Sequence, residues 1–168
     1  MPDFKTMAEE AGAMLKQFGQ TVAVAESSSG GIICAALLAV PGASAYFKGG
    51  GAVYTSASKQ ALMGLSTEAL DEVRAATEGH ALFLARAARA RLGADWGIGE
   101  TGAAGPAGNR YGDPAGHTCV GLVGPGVERT LIVKTGRKDR GANMEAFAQA
   151  AIELLSECLK QRSRARET

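Results

Sequence analysis

Apolar residues along this chain fall into two kinds of pattern, stripes at helical spacing and short continuous runs. Phe4, Met7, Ala8, Ala11, Met14, Leu15 and Phe18 form the first stripe, with Asp3 placed to cap its start and Gly19 to end it. Thr21 to Ala25 is a short apolar run bounded by turn residues, which predicts a buried strand. Three serines and two glycines follow (Ser27-Ser-Ser-Gly-Gly31), then an apolar helix from Ile32 to Val40 that Pro41-Gly42 breaks. Ala52-Val-Tyr54, after Gly49-Gly-Gly51, predicts a short strand. Thr55 or Ser56 can cap a helix carrying Lys59, Leu62 and Met63 up to Gly64, and Ser66 to Leu70 starts a further helical piece. Thr77-Glu78 opens a longer helix whose Leu82, Phe83, Ala85, Ala87, Ala90 and Leu92 form an apolar side ending at Gly93. Trp96 to Glu100 predicts a second core strand. Thr118–Val123 and Thr130–Val133 predict two more, joined by a hairpin at Gly124-Pro-Gly126. Arg140 to Lys160 predicts a final helix, and residues 161–168 a polar, frayed tail. Helices and strands alternate early and two strands are consecutive late. That order predicts one domain over residues 1–160, a three-layer α/β/α sandwich on a mixed, mostly parallel sheet.

Composition narrows the function classes. With 168 residues and 46% apolar content the chain can bury an ordinary core, and 5% aromatic content shifts its packing onto Ala, Val, Leu and Ile. Lys+Arg 18 against Asp+Glu 17 leaves a net charge of +1, which gives no case for a nucleic-acid surface. No run approaches the ~20 apolar residues of a membrane-spanning helix, and Met1-Pro-Asp-Phe-Lys lacks a secretory pattern. Cys34, Cys119 and Cys158 are scattered and odd in number, so they read as reduced thiols of a cytoplasmic protein. His80 and His117 sit at no ligand spacing from them, so no metal or other cofactor is expected.

Chemistry concentrates in two glycine-rich turns that follow apolar strands, Ser27 to Gly31 and Thr101-Gly-Ala-Ala-Gly-Pro106. If the strands are parallel neighbours, both turns lie at the same sheet edge, where α/β proteins bind ligands. One offers hydroxyls, the other unencumbered N–H groups, and a helix start adds the positive end of its dipole. A serine capping a helix, with glycines that merely permit the turn, is the plainer alternative. Neither turn is a P-loop, because the lysine and its spacing are missing. The residues leave a Ser-His-Asp triad open without supporting it: His80 falls in a helix, His117 at a strand start, and no G-x-S-x-G elbow occurs. A lysine base is the other option. Lys59 works as one only if its pKa falls from about 10.4 towards neutrality, with Tyr54 to relay or orient the proton. The alternative for Lys59 is an exposed lysine at a helix start.

At these residues the chain resembles the CinA C-terminal domain family of nicotinamide-nucleotide amidases. Ala25-Glu-Ser-Ser-Ser-Gly-Gly31 is similar to the family's A-E-S-C-T-G-G, Gly42-Ala-Ser44-Ala-Tyr-Phe47 to G-S-S-x-x-F, and Tyr54-Thr-Ser-Ala-Ser-Lys59 to Y-S-N-x-x-K. Thr77-Glu78, Thr101 to Pro106, Pro114-Ala-Gly116 and Asp139-Arg140 resemble V-S-E, T-G-I-A-G-P, P-V-G and a late D-R, so the matches cover nearly the whole chain in order. The resemblance implies a three-layer α/β/α domain that hydrolyses nicotinamide mononucleotide to nicotinic acid mononucleotide and ammonia without a metal. It implies Ser27 as nucleophile, Lys59 as base and Tyr54 as their neighbour. Ser28, Ser29, Gly30, Gly31, Ser44, Thr101, Gly102, Ala103 and Gly105 then line the substrate, and Arg140 is a candidate phosphate partner by its charge and fork geometry. A homo-oligomer is expected from the family, and the chain length matches a stand-alone form without the additional N-terminal domain.

The departures from the pattern bear on substrate. Ser28 and Ser29 replace the family's Cys and Thr, and Ser56 its Asn. Asp113 stands where a basic residue is usual, His117 where a threonine is common, and Met144 where an arginine often follows D-R. Losing two cations near a site for a phosphate ester leaves room for another substrate. It also leaves room for a binding or sensor protein that keeps the pocket and has lost deamidation.

Overall fold

The structure is a computed structural model describing residues 3–168; Met1 and Pro2, which begin both the predicted domain and the stretch read for a signal, lie outside them. Helix α1 (Phe4–Phe18) starts where Asp3 accepts a hydrogen bond from Thr6 N at 2.7 Å and ends at Gly19 in the left-handed region. β1 (Val22–Glu26) and α2 (Ile32–Leu38) follow. β2 (Phe47–Ala52) differs from expectation, because the three glycines lie inside the strand and Tyr54 falls in the loop beyond it. Close pairing requires this. A Cβ on Gly50 would sit 2.3 Å from Val24 O and 2.9 Å from Cys34 Sγ, so only glycine lets β2 lie flat beside β1 under α2.

Next come α3 (Ser56–Met63), α4 (Thr67–Glu72) and α5 (Glu78–Leu92), capped at their starts by Thr55, Ser66 and Thr77. β3 (Trp96–Ala103) takes in Thr101 to Ala103, which pair with Cys119, Thr118 and His117 of β4 (His117–Gly124) instead of opening the turn. β5 (Val127–Lys134) completes the hairpin. α6 (Arg140–Arg166) runs past the expected end at Lys160. Arg162 donates to Pro125 O at 3.2 Å and the Arg166 guanidinium lies 4.7 Å from the Phe18 ring centroid, so those basic residues have partners on the domain.

The sheet order is β2-β1-β3-β4-β5, with β1 parallel to β2 and β3 and with β4 antiparallel to β3 and β5. Every strand but β4 therefore runs in one direction, and the sheet is mixed as predicted. α1, α2 and α6 cover one face, while α5 with α3 covers the other. Strand alternation makes the two faces unlike. Val22, Val24, Trp96, Ile98, Val120 and Leu122 face the three-helix layer. Ala23, Ala25, Gly97, Gly99 and Gly121 face α5, whose Ala81 and Ala85 backbone comes so close that a Cβ on Gly99 would lie 2.0 Å from Ala81 O. Among the described residues no helix is long and apolar enough to cross a membrane.

Candidate active site

β1 ends at the carboxyl edge of the sheet beside the longer β3, their last paired residues being Glu26 and Glu100. Both glutamates are fully buried and sit on the three-helix face. Glu100 organises the serine turn. Its Oε2 accepts from Ser27 N at 3.0 Å, Ser29 N at 2.9 Å and Ser29 Oγ at 2.8 Å, and its Oε1 accepts from Ser28 Oγ and, at 2.6 Å, from Thr118 Oγ1. Glu26 reaches the start of α2, where Ile33 N donates to Oε1 at 3.1 Å and Cys34 N to Oε2 at 2.8 Å; Ser29 Oγ lies 2.7 Å from Oε1. The Ser28 and Ser29 hydroxyls, expected to meet substrate, are engaged by this carboxylate pair. The sequence signal for the pair is a glutamate closing each of two apolar strands.

Ser27 is the first residue beyond β1 and is buried, and its N–H also donates to Glu100 O at 3.1 Å. Lys59 lies on the α5 side of the sheet, where it meets His80 of α5. It is the fourth residue of α3, only 5% exposed, and it shares the buried side of the helix with Met63. Burial lowers the Lys59 pKa, against the opposing pull of the Glu100 charge. Its amine lies 3.1 Å from His80 Nε2, and no hydrogen bond joins it to Ser27. His80, a helix residue to which the sequence gives no supported role in a triad or a metal site, is 2% exposed and is held by Val73 O at 2.8 Å from Nδ1. A carbonyl only accepts, so Nδ1 carries the proton and Nε2 offers a lone pair to Lys59.

Two neighbouring cavities lie beside Lys59 and the serine turn, and Ser27 itself lines neither. One, of about 360 Å³, is lined by Lys59 and His80 together with Arg74, Arg110 and Tyr111. The other, of about 160 Å³, is lined by Ser28, Tyr54, Gly102, Ala103, Gly105 and Arg140. Segment 107–111 contributes to both. Arg140 NH1 donates to Gly105 O at 2.6 Å and NH2 to the exposed Tyr54 hydroxyl at 3.4 Å, so these predicted residues meet at the rim. Gly30 packs its turn against Met144, whose Cε would lie 2.5 Å from a Cβ there.

Other predicted residues are placed elsewhere or serve the frame. Ser44 is exposed in the 3-10 turn Ala43–Ala45 just before β2, beside the start of β1, where Val22 N donates to Tyr46 O at 2.8 Å. A five-residue strand separates it from Ser27, roughly 17 Å of chain, so Ser44 is not part of this site. Thr101 Oγ1 accepts from Ala76 N at 3.0 Å and thereby holds a residue at φ 60°. His117 Nε2 meets Ala76 O at 3.0 Å from the next strand. Asp113, at the position where a cation was expected, binds Arg74 at 2.8 Å and Asn109 Nδ2 at 2.8 Å; these partners hold its carboxyl below the usual range. Burial pushes the Cys119 thiol up to about 11 and the Cys34 thiol higher still, which keeps both as unreactive thiols. Among the described residues no group of three or more His, Cys, Asp or Glu is placed to hold a metal ion.

Fold and site define an α/β/α protein with a buried lysine and a carboxylate-braced serine turn at the sheet's carboxyl edge. The chain belongs to the CinA C-terminal domain family, whose pattern matches residues 4–159. It is 40% identical over 147 residues to a CinA-like protein of Prochlorococcus marinus (strain MIT 9313), covering 87% of this chain and 34% of that one. It thus spans about a third of the length of the curated relatives it matches. Among solved structures it is similar to the competence/damage inducible protein CihA of Agrobacterium tumefaciens (28% identical, TM-score 0.86, 95% of this chain and 97% of that one). It is likewise similar to the competence damage-inducible protein A of Klebsiella pneumoniae subsp. pneumoniae MGH 78578 (26% identical, TM-score 0.87, 95% and 98%).

Proposed function

We propose that this protein is an amidohydrolase that releases ammonia from a small amide of the pyridine-nucleotide class, with nicotinamide mononucleotide the first substrate to try. The observation that carries it is the Lys59 amine, taken out of water beside the sheet, where burial disfavours the ammonium form. In this scheme Ser27 Oγ attacks the amide carbon while the neutral Lys59 amine takes its proton. The C–N bond then breaks, ammonia leaves with that proton, and water releases the acid from the serine. Tyr54 and Arg140 line the cavity beside the turn and are set to receive the polar, anionic part of the substrate. The protein acts in the cytoplasm as a homo-oligomer, on a small molecule and without nucleic acid, membrane or cofactor; its near-balanced charge supports the exclusion of nucleic acid.

The test is ammonia release over a panel of amides. Ser27→Ala and Lys59→Ala are each expected to lower turnover on the order of 100- to 10,000-fold with far-UV circular dichroism unchanged; full turnover in either variant rules the mechanism out. One observation favours a second function, a binding or sensor protein: the Lys59 amine bonds to His80 and not to Ser27. Saturable binding of nicotinamide mononucleotide by calorimetry, with no ammonia released, would decide for it.

A further inference from the structure

We propose that His80 is the positioning residue of Lys59: its Nε2 accepts a hydrogen bond from the amine, fixing one N–H and so restricting the amine's lone pair without supplying a negative charge. The inference rests on the Ser27–Lys59 mechanism above for its catalytic consequence, but its physical content can be measured without turnover.

The geometry is over-determined. His80 is the third residue of α5, and its backbone N–H donates at 3.2 Å to Oγ1 of Thr77, which caps that helix. Its Nδ1 is tethered at 2.8 Å to Val73 O at the end of α4, which leaves one tautomer and one ring orientation. Nε2 then points at Lys59 Nζ at 3.1 Å from the neighbouring helix. A neutral amine has two N–H groups and one lone pair. Giving one N–H to a fixed acceptor restricts where the lone pair can point, which a base needs and a freely rotating lysine lacks.

The chemical identity of the acceptor matters as much. A carboxylate at this position would pair with the ammonium and hold the proton on it. A neutral imidazole accepts a hydrogen bond while carrying no charge, and its own protonation is opposed by burial and by the lysine. The other charges around the amine are Glu100 from β3, which favours the ammonium, and Asp71, Glu72, Arg74 and Arg110 around the same cavity. Asp71 and Glu72 are exposed on α4, so water screens them.

The experiment uses the full chain labelled with [13C]lysine and follows the Lys59 titration by NMR in wild type, His80→Gln and His80→Glu, beside the pH profile of kcat/KM on the best amide. In His80→Glu the Lys59 midpoint, and with it the acid limb of the profile, is expected to rise by about one unit or more. In His80→Gln, which keeps a neutral acceptor but loses the Val73 tether, the midpoint stays near wild type. There kcat falls on the order of 10- to 100-fold with KM little changed. An unchanged midpoint in His80→Glu, or wild-type kcat in His80→Gln, overturns the assignment. If no amide is turned over by wild type while the midpoints move as stated, the hydrolase proposal falls and His80 still stands as the partner that sets the amine. Melting curves of both variants separate loss of fold from loss of position.

Discussion

Lys59 and His80 form a buried pair of groups that both resist a proton, and that has a consequence for stability. The folded protein holds both pKa values below their unfolded values. Between folded and unfolded pKa the unfolded chain binds more protons, so stability rises with pH there and falls as the solution is acidified. For the histidine the loss begins near pH 6.5. Urea unfolding of wild type is therefore expected to weaken between about pH 7 and 5 with a slope that His80→Gln partly removes; parallel curves for the two proteins would contradict it. The same residues mark what could be read from sequence. Serine, lysine and tyrosine stand out by their resemblance to the family's motifs. Burial of Lys59 is not legible because its neighbours on α5 and at Arg110 and Tyr111 come from distant parts of the chain. Glu100, 73 residues from Ser27, braces the turn by a contact that spacing does not report.

Helix α5 shows how small residues set a layer. Its Ala81, Ala85 and Ala88 meet a sheet face of glycine and alanine, and backbone packs nearly on backbone. In Gly99→Ala the new methyl would lie 2.0 Å from Ala81 O and 2.6 Å from Ala85 N, so helix and strand must separate. A loss of about 3 kcal/mol is expected by urea unfolding. Gly51→Ala, whose added methyl meets nothing within 4 Å, serves as the comparison and is expected to stay within about 0.5 kcal/mol. Equal effects would show that the spacing between α5 and β3 is adjustable. Shifting α5 would also shift His80 on its first turn, so Gly99→Ala should cost activity as well. The strands carrying these glycines were partly legible. Alternation of large and small residues in Trp96-Gly-Ile-Gly is a strand pattern, but glycine in Phe47 to Ala52 reads as loop until a neighbouring strand is beside it.

The whole molecule is closed by its two terminal helices, α1 and α6, which pack together on one face. Lys160 pairs with Glu10 at 2.9 Å, and beyond it Arg162 and Arg166 reach Pro125 and Phe18. Ending the chain after Lys160 removes these last contacts while leaving the apolar stripe of α6. It is expected to cost about 1 kcal/mol, or about 2–4 °C in melting temperature, with ammonia release intact; an unchanged melting temperature would show that the helix end contributes nothing. By itself the sequence determined the element order, the caps and breaks, the mixed sheet and the family. These follow from local periodicity, turn chemistry and motif residues that lie close together in the chain. Only tertiary structure decided which hydroxyls are engaged by Glu100 and Glu26, that Ser44 lies at the far end of the sheet, and that Lys59 meets His80. Those outcomes depend on strand order and helix packing, which join residues far apart in sequence and withdraw their polar groups from water.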